Sequence, residues 1–128
     1  MAVAYRSSSA TGSSDAQGTS LAVPVPSGAA AGDIALVAIE MWWDSGTNPT
    51  VTPPAGFILK ADEVVTQSGN QRLKVWWKRL TAGDTGSYSF SWSGTQWRMG
   101  HAILMTGAKT TGDPTTVNTA TATSGTSV

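Results

Sequence analysis

The stretch QRLKVWWKRL, Gln71–Leu80, packs four cations, two adjacent tryptophans and three aliphatic residues into ten positions. A basic amphipathic helix, a nucleic-acid strip and a β-strand each start from such a composition. At helical period the cations at 72, 74, 78 and 79 scatter around the barrel and leave no clean apolar stripe. At period 2, Leu73, Val75 and Trp77 share one side; Arg72, Lys74, Trp76, Lys78 and Leu80 share the other. Turn-formers sit on both flanks, QSGNQ before and TAGDTGS after. The spacing predicts a strand ending at Leu80. Trp77 is read as its core tryptophan, and Trp76, between Lys74 and Lys78, as an outward ring.

Working outward, the rest of the chain also reads as strands. SYSFSWS, 87–93, alternates Tyr88, Phe90 and Trp92 inward with serines outward. TQWRMGHAILMTG, 95–107, sets Trp97, Met99, His101, Ile103 and Met105 against Gln96, Arg98, Gly100, Ala102 and Leu104. The small residues Gly100 and Ala102 imply close approach by another layer. DIALVAIEMWW, 33–43, is apolar on both faces as far as Ile39, which marks a central strand. TSLAVPV, 19–25, contains Pro24, which lacks a ladder donor, so it belongs at an edge. FILKADEVVTQ, 57–67, is a strand with a bend near Ala61 and Asp62, followed by a hairpin turn through Gly69. The stretch 44–56 is a long proline-fixed loop.

Short strands at this spacing, with no convincing helix, predict an all-β fold: a two-sheet antiparallel sandwich with a tryptophan-rich core. Three regions follow. Residues 1–18 are an N-terminal strand and flexible loop, 19–107 the sandwich, and 108–128 a Thr-rich arm or the start of further strands.

Bulk composition narrows function. Eight basic and eight acidic residues cancel, and only 12% of the chain is charged, about half the usual share. Nothing here draws the chain electrostatically to nucleic acid or anionic membrane, so neither is expected as a partner. There is no cysteine, which excludes disulfides, thiolate metal sites and thiol catalysis. The N-terminus lacks an apolar stretch of signal-peptide length.

In order and spacing, GTSLAVPVPSGAAAGDIALVAIE, PTVTPPAGFILKADE, LKVWWKRLTAGDTGSYSFSWSG and GHAILMTGA resemble a β-sandwich domain of bacteriophage virion proteins. The similar domains occur in minor tail and capsid-associated proteins of actinobacterial phages, and related segments occur in bacterial surface proteins. The resemblance spans Thr19 to Gly107. It implies a jelly-roll-like, non-catalytic module on the exterior of a phage particle, with other virion proteins and copies of itself as partners. It transfers no binding residues. The final SGTSV echoes QGTSLAV at 17–23; in similar proteins that echo opens another strand, which implies a longer chain.

His101 is the single histidine; with no G-x-S-x-G elbow and no H-E-x-x-H, a core or interface histidine is expected rather than a base. Glu40 continues an apolar strand, and an ion pair to Arg98 or Lys74 is expected. Pairing Glu40 with Asp44 or Glu63 as glycosidase carboxylates has no support in spacing. Asp33, Asp84 and Asp113 lie in turns and are expected to cap local amides, not to hold calcium. No metal or cofactor is expected. The candidates for an interface or for stacking on a ligand are Trp76, Lys74, Lys78, Trp42 and Trp43. A subunit interface is the first reading and a host-surface glycan the functional alternative, with simple cation–π packing of Trp76 against its neighbouring lysines weighed beside them. A hydrolase site at the sandwich mouth is a third, and needs His101 or Glu40 in a polar cleft.

Overall fold

A computed structural model describes residues 2–43, 49–65 and 70–114. Among these residues the protein is all-β, with six antiparallel strands: β1 (Ala4–Pro24), β2 (Ile34–Trp43), β3 (Val51–Thr52), β4 (Ile58–Val65), β5 (Asn70–Arg79) and β6 (Ser87–Thr106). They join one sheet in the order β1-β6-β2-β5-β4, with β3 paired to β6. The decisive stretch is therefore a strand, and 33–43 is the central one. Pro24 sits on the edge strand β1, where no second strand calls for its missing donor. The bend foreseen near Ala61 is a register shift between Leu59 and Ala61. The hairpin turn expected through Gly69 lies outside the described residues.

The two layers expected from the sequence are not separate ladders; they are two arms of one ladder. β1 and β6 pair along almost their whole length, from Ala4 opposite Thr106 to Pro24 opposite Ser87. Register slips between Ser13 and Gly18, and again between Gly18 and Ser20, bend β1 midway. Gly94, with φ +75°, permits the matching bend in β6. Beyond the bend the ladder returns over itself. Ser7 Oγ donates to Ser27 O at 2.6 Å, and Arg98 Nε to Ser20 O at 3.0 Å. The base arm holds residues 4–13 of β1, 96–106 of β6, β2, β5 and β4. The cover arm holds residues 18–24 of β1, 87–93 of β6, and β3. β1 thus runs through the boundary drawn at residue 18, and strand continues where a loop was expected. The reason is pairing: residues 4–13 and 18–24 both use β6 as their partner.

The core fills the space between the arms. Leu21, Val23, Tyr88, Phe90 and Trp92 come down from the cover; Val37, Ile39, Met41, Trp76, Ala102 and Leu104 come up from the base. Trp76 meets Phe90 at 4.9 Å between ring centroids. Phe57 stands edge-on to Tyr88 at 4.9 Å and to Phe90 at 5.6 Å. Trp92 Nε1 donates to Gly18 O at 2.9 Å, satisfying its polar edge. After β6, residues 112 and 113 lie against the far strands: Arg79 donates to Gly112 O at 3.2 Å, and Lys60 pairs with Asp113 at 2.6 Å. The rest of the Thr-rich arm, 115–128, lies outside the described residues.

Candidate functional site

The five sequence candidates separate. Trp76 is 2% exposed and sits in the core, so the outward ring expected at 76 is overturned. Trp77, 7% exposed, is covered from the other side of the sheet, in register with Leu36 of β2 and Ile58 of β4. Alternation fixes that neighbouring tryptophans oppose each other; it does not say which row meets the core. Here the row with three cations is the inner one. Lysine makes this possible by laying its aliphatic stem over apolar groups and keeping its ammonium at the rim. Lys78 Nζ lies 5.8 Å from the Phe57 ring and 5.9 Å from the Tyr88 ring, and pairs with Asp84 at 2.8 Å. Lys74 Nζ lies 5.9 Å from the Trp76 ring and pairs with Asp62 at 2.7 Å. Both lysines are therefore committed within the chain.

Asp62 also receives Arg72, whose Nε donates at 2.6 Å and whose Nη2 donates to the second carboxylate oxygen. The Arg72 hydrogen bonds, with help from Lys74, hold the Asp62 carboxyl below its ordinary 3.8, against the opposing pull of partial burial. A depressed folded-state value stabilises the fold above the ordinary value and is lost as pH falls through the folded one. Asp62→Asn leaves Lys74, 6% exposed, without its carboxylate. We expect a loss of about 2 kcal/mol at neutral pH. The parent and variant urea-denaturation midpoints should draw together as pH falls below the ordinary carboxylate range and the Asp62 carboxyl takes up its proton. A gap that does not shrink at all through the acid range would place the effect elsewhere. Tyr88 differs: burial raises its hydroxyl above the ordinary 10.0, and the Asp84 carboxylate adds to this.

The remaining candidates lie on the outer face of the base arm, away from the cover. Trp42 is half-buried there, in register with Trp97 of β6. The Trp43 side chain lies outside the described residues. Glu40 faces outward between Met99 and Leu73. Lys74 and Arg98 point to the inner face, so the ion pair expected for Glu40 does not form with either. Glu63 shares the Glu40 rung, with Leu73 between them. Asp44 lies outside the described residues. His101 is exposed on the same outer face, between Ala38 and Ala10, so it is no core histidine. Among the described residues it forms no ion pair.

A concavity beside the start of β2 is lined by Arg6, Asp33, Thr106 and Lys109 and contains neither His101 nor Glu40. Its Arg6 is paired with Asp33 at 2.8 Å, and Asp33 also accepts from the Ala30 amide at 3.0 Å, the local cap expected of it. Asp84 and Asp113 each pair with a lysine. Among the described residues no three His, Cys, Asp or Glu side chains gather as a metal site.

What the sequence reading missed is the outer face as a whole. It carries Tyr5 on β1, His101, Ile103 and Met105 on β6, Leu36 and Ala38 on β2, Leu73, Val75 and Trp77 on β5, and Ile58 on β4. Tyr5 is 65% exposed, Ile58 54%, Leu73 43% and Ile103 40%. The signal was present: β2 is apolar at Leu36 and Ala38 as well as at Val37 and Ile39. A strand apolar on both sides needs cover on both sides. Among the described residues the inner side has full cover; on the outer side Ile34 and Trp77 are buried, at the end where Arg79 and Lys60 meet residues 112 and 113, and the rest is half-buried or exposed.

Compared with protein-family models, curated proteins and solved structures, the chain matches none.

Proposed function

We propose that this chain is a non-catalytic structural component of a phage particle, a capsid decoration or minor tail protein that assembles through the outer face of its sheet. The observation that carries the assembly role is that face: five strands wide, largely apolar, and exposed among the described residues at Tyr5, Ile58, Leu73 and Ile103. A soluble surface of this kind is a binding surface or an aggregation liability. The phage setting rests on the resemblance of the segments between Thr19 and Gly107 to virion β-sandwich domains. The paired lysines and the absence of His101 and Glu40 from the concavity argue against a hydrolase at the sandwich mouth.

The test is direct. Particles of the phage that encodes the chain, purified by density gradient, should contain it at a fixed copy number by quantitative mass spectrometry. Its absence from intact particles would overturn the reading.

One observation favours a second reading, glycan recognition. Trp42 and Trp97 are cross-strand neighbours on the outer face, with Glu40 close by. Adjacent indoles can stack on a sugar ring. Binding to host-wall polysaccharide that disappears in Trp97→Ala would favour it over assembly.

A further inference from the structure

We infer that the outer face of the base arm is covered by the same face of a second copy, forming a two-fold, sheet-on-sheet dimer. This deepens the assembly reading above and rests on it for the claim that the face is an interface.

Size is the first argument. Five strands about 4.8 Å apart and nine rungs of about 3.3 Å span roughly 20 Å by 28 Å, on the order of 550 Å² in plan. Accessible area follows the relief of the side chains and exceeds plan area. The face therefore approaches the lower end of a standard interface, about 600 Å² per partner.

Charge is the second. The chain has zero formal net charge, so two copies approach without long-range repulsion. The interior of the face offers no positive or negative patch to recruit a charged partner; its carboxylates, Glu40 and Glu63, share one rung.

Shape is the third. A broad, twisted apolar sheet packs best on another sheet of the same twist, about 10 Å away with strands near-aligned. A second copy supplies that surface. A two-fold axis lying across the strands at the level of Ala38 resolves the acids as well. Glu40 and Leu36 each stand two residues from Ala38, so Glu40 falls opposite the Leu36 rung. Glu63, on the Glu40 rung, likewise falls opposite Ile58, which shares the Leu36 rung. Like charges are kept apart, and the aliphatic rows meet.

Sedimentation equilibrium from micromolar to submillimolar concentration tests this. The expected mass is twice 13.2 kDa. Ile103→Lys and Leu73→Lys, both at exposed positions, should halve the mass while leaving circular dichroism and the melting temperature of the monomer intact. Leu59→Lys, equally exposed at 47% but on the inner row with Trp76, should leave the dimer in place. Hydroxyl-radical footprinting of the unaltered chain reads the same surface without any variant: Tyr5, Ile103 and Met105 should become protected as concentration rises. A monomer at submillimolar concentration, or a dimer indifferent to both outer-face lysines, overturns the inference. A chain that is monomeric in solution yet present in particles would sink the dimer and leave the assembly role standing.

Discussion

Trp76→Ala should lower the free energy of unfolding by about 4 kcal/mol, and the melting temperature by roughly 12 °C. Trp76 is central to the contact between the two arms, with its ring against Phe90 from the cover. Truncation removes that ring contact, uncovers part of the Phe90 surface, and takes away the indole over which the Lys74 ammonium lies. The site cannot collapse readily, because the arms are held apart by the remaining aromatic rings. Trp76→Phe should recover more than half of the loss, since it restores an aromatic surface at the same place. Urea denaturation followed by circular dichroism measures both. A loss below about 1 kcal/mol for the alanine variant would mean that Trp76 does not join the arms.

Gly100→Val is the second large effect. Valine is ordinarily favoured over glycine in a strand by up to about 1 kcal/mol. Here the sign should reverse, with a net loss of about 3 kcal/mol. A Cβ at position 100 would stand 2.7 Å from Val23 Cγ2, 2.9 Å from Leu21 Cδ2 and 3.0 Å from Ile39 Cδ1. Those methyls belong to the cover arm and to the adjacent strand, so nothing moves without shifting a layer. If the clash is the cause, Val23→Ala should restore a substantial part of the stability when combined with Gly100→Ala. Double-mutant analysis of thermal unfolding measures that coupling. Strict additivity of the two changes would remove the clash as the explanation.

The strands were legible in the sequence because side-chain alternation and turn residues are local signals. SYSFSWS placed Tyr88, Phe90 and Trp92 inward, and each is buried. Gly100 and Ala102 announced a close layer, and Val23 and Leu21 press on Gly100. The edge position of Pro24 and the bulge in β4 were equally readable. Orientation was not. Both rows of 71–80 carry a tryptophan, and the row with more cations turned inward. That choice depends on Asp62 and Asp84, which reach Lys74 and Lys78 from other strands or loops. Lys74 and Asp62, 12 positions apart, fall outside any window of ten residues, and alternation by itself does not register Asp84. The same limit hid the candidate site. The outer face draws on five strands from position 5 to position 105, and no single segment reveals which of its apolar residues lack cover. The single folded ladder was also hidden, since it depends on two distant strands bending at matching places.

The pairing of Ala4 with Thr106, and of Pro24 with Ser87, ties assembly of the molecule to its synthesis. The first strand to leave the ribosome waits for the last of the described strands before either gains its partner. Closing loops of this length is entropically costly, and contacts so distant along the chain slow folding towards the millisecond-to-second range. In the interval β2, apolar on both sides, has neither β6 beside it nor the cover arm above it. A nascent chain in that condition is a natural client for chaperones that shield unpaired strands, and crowded synthesis on polysomes is when neighbouring copies would mispair.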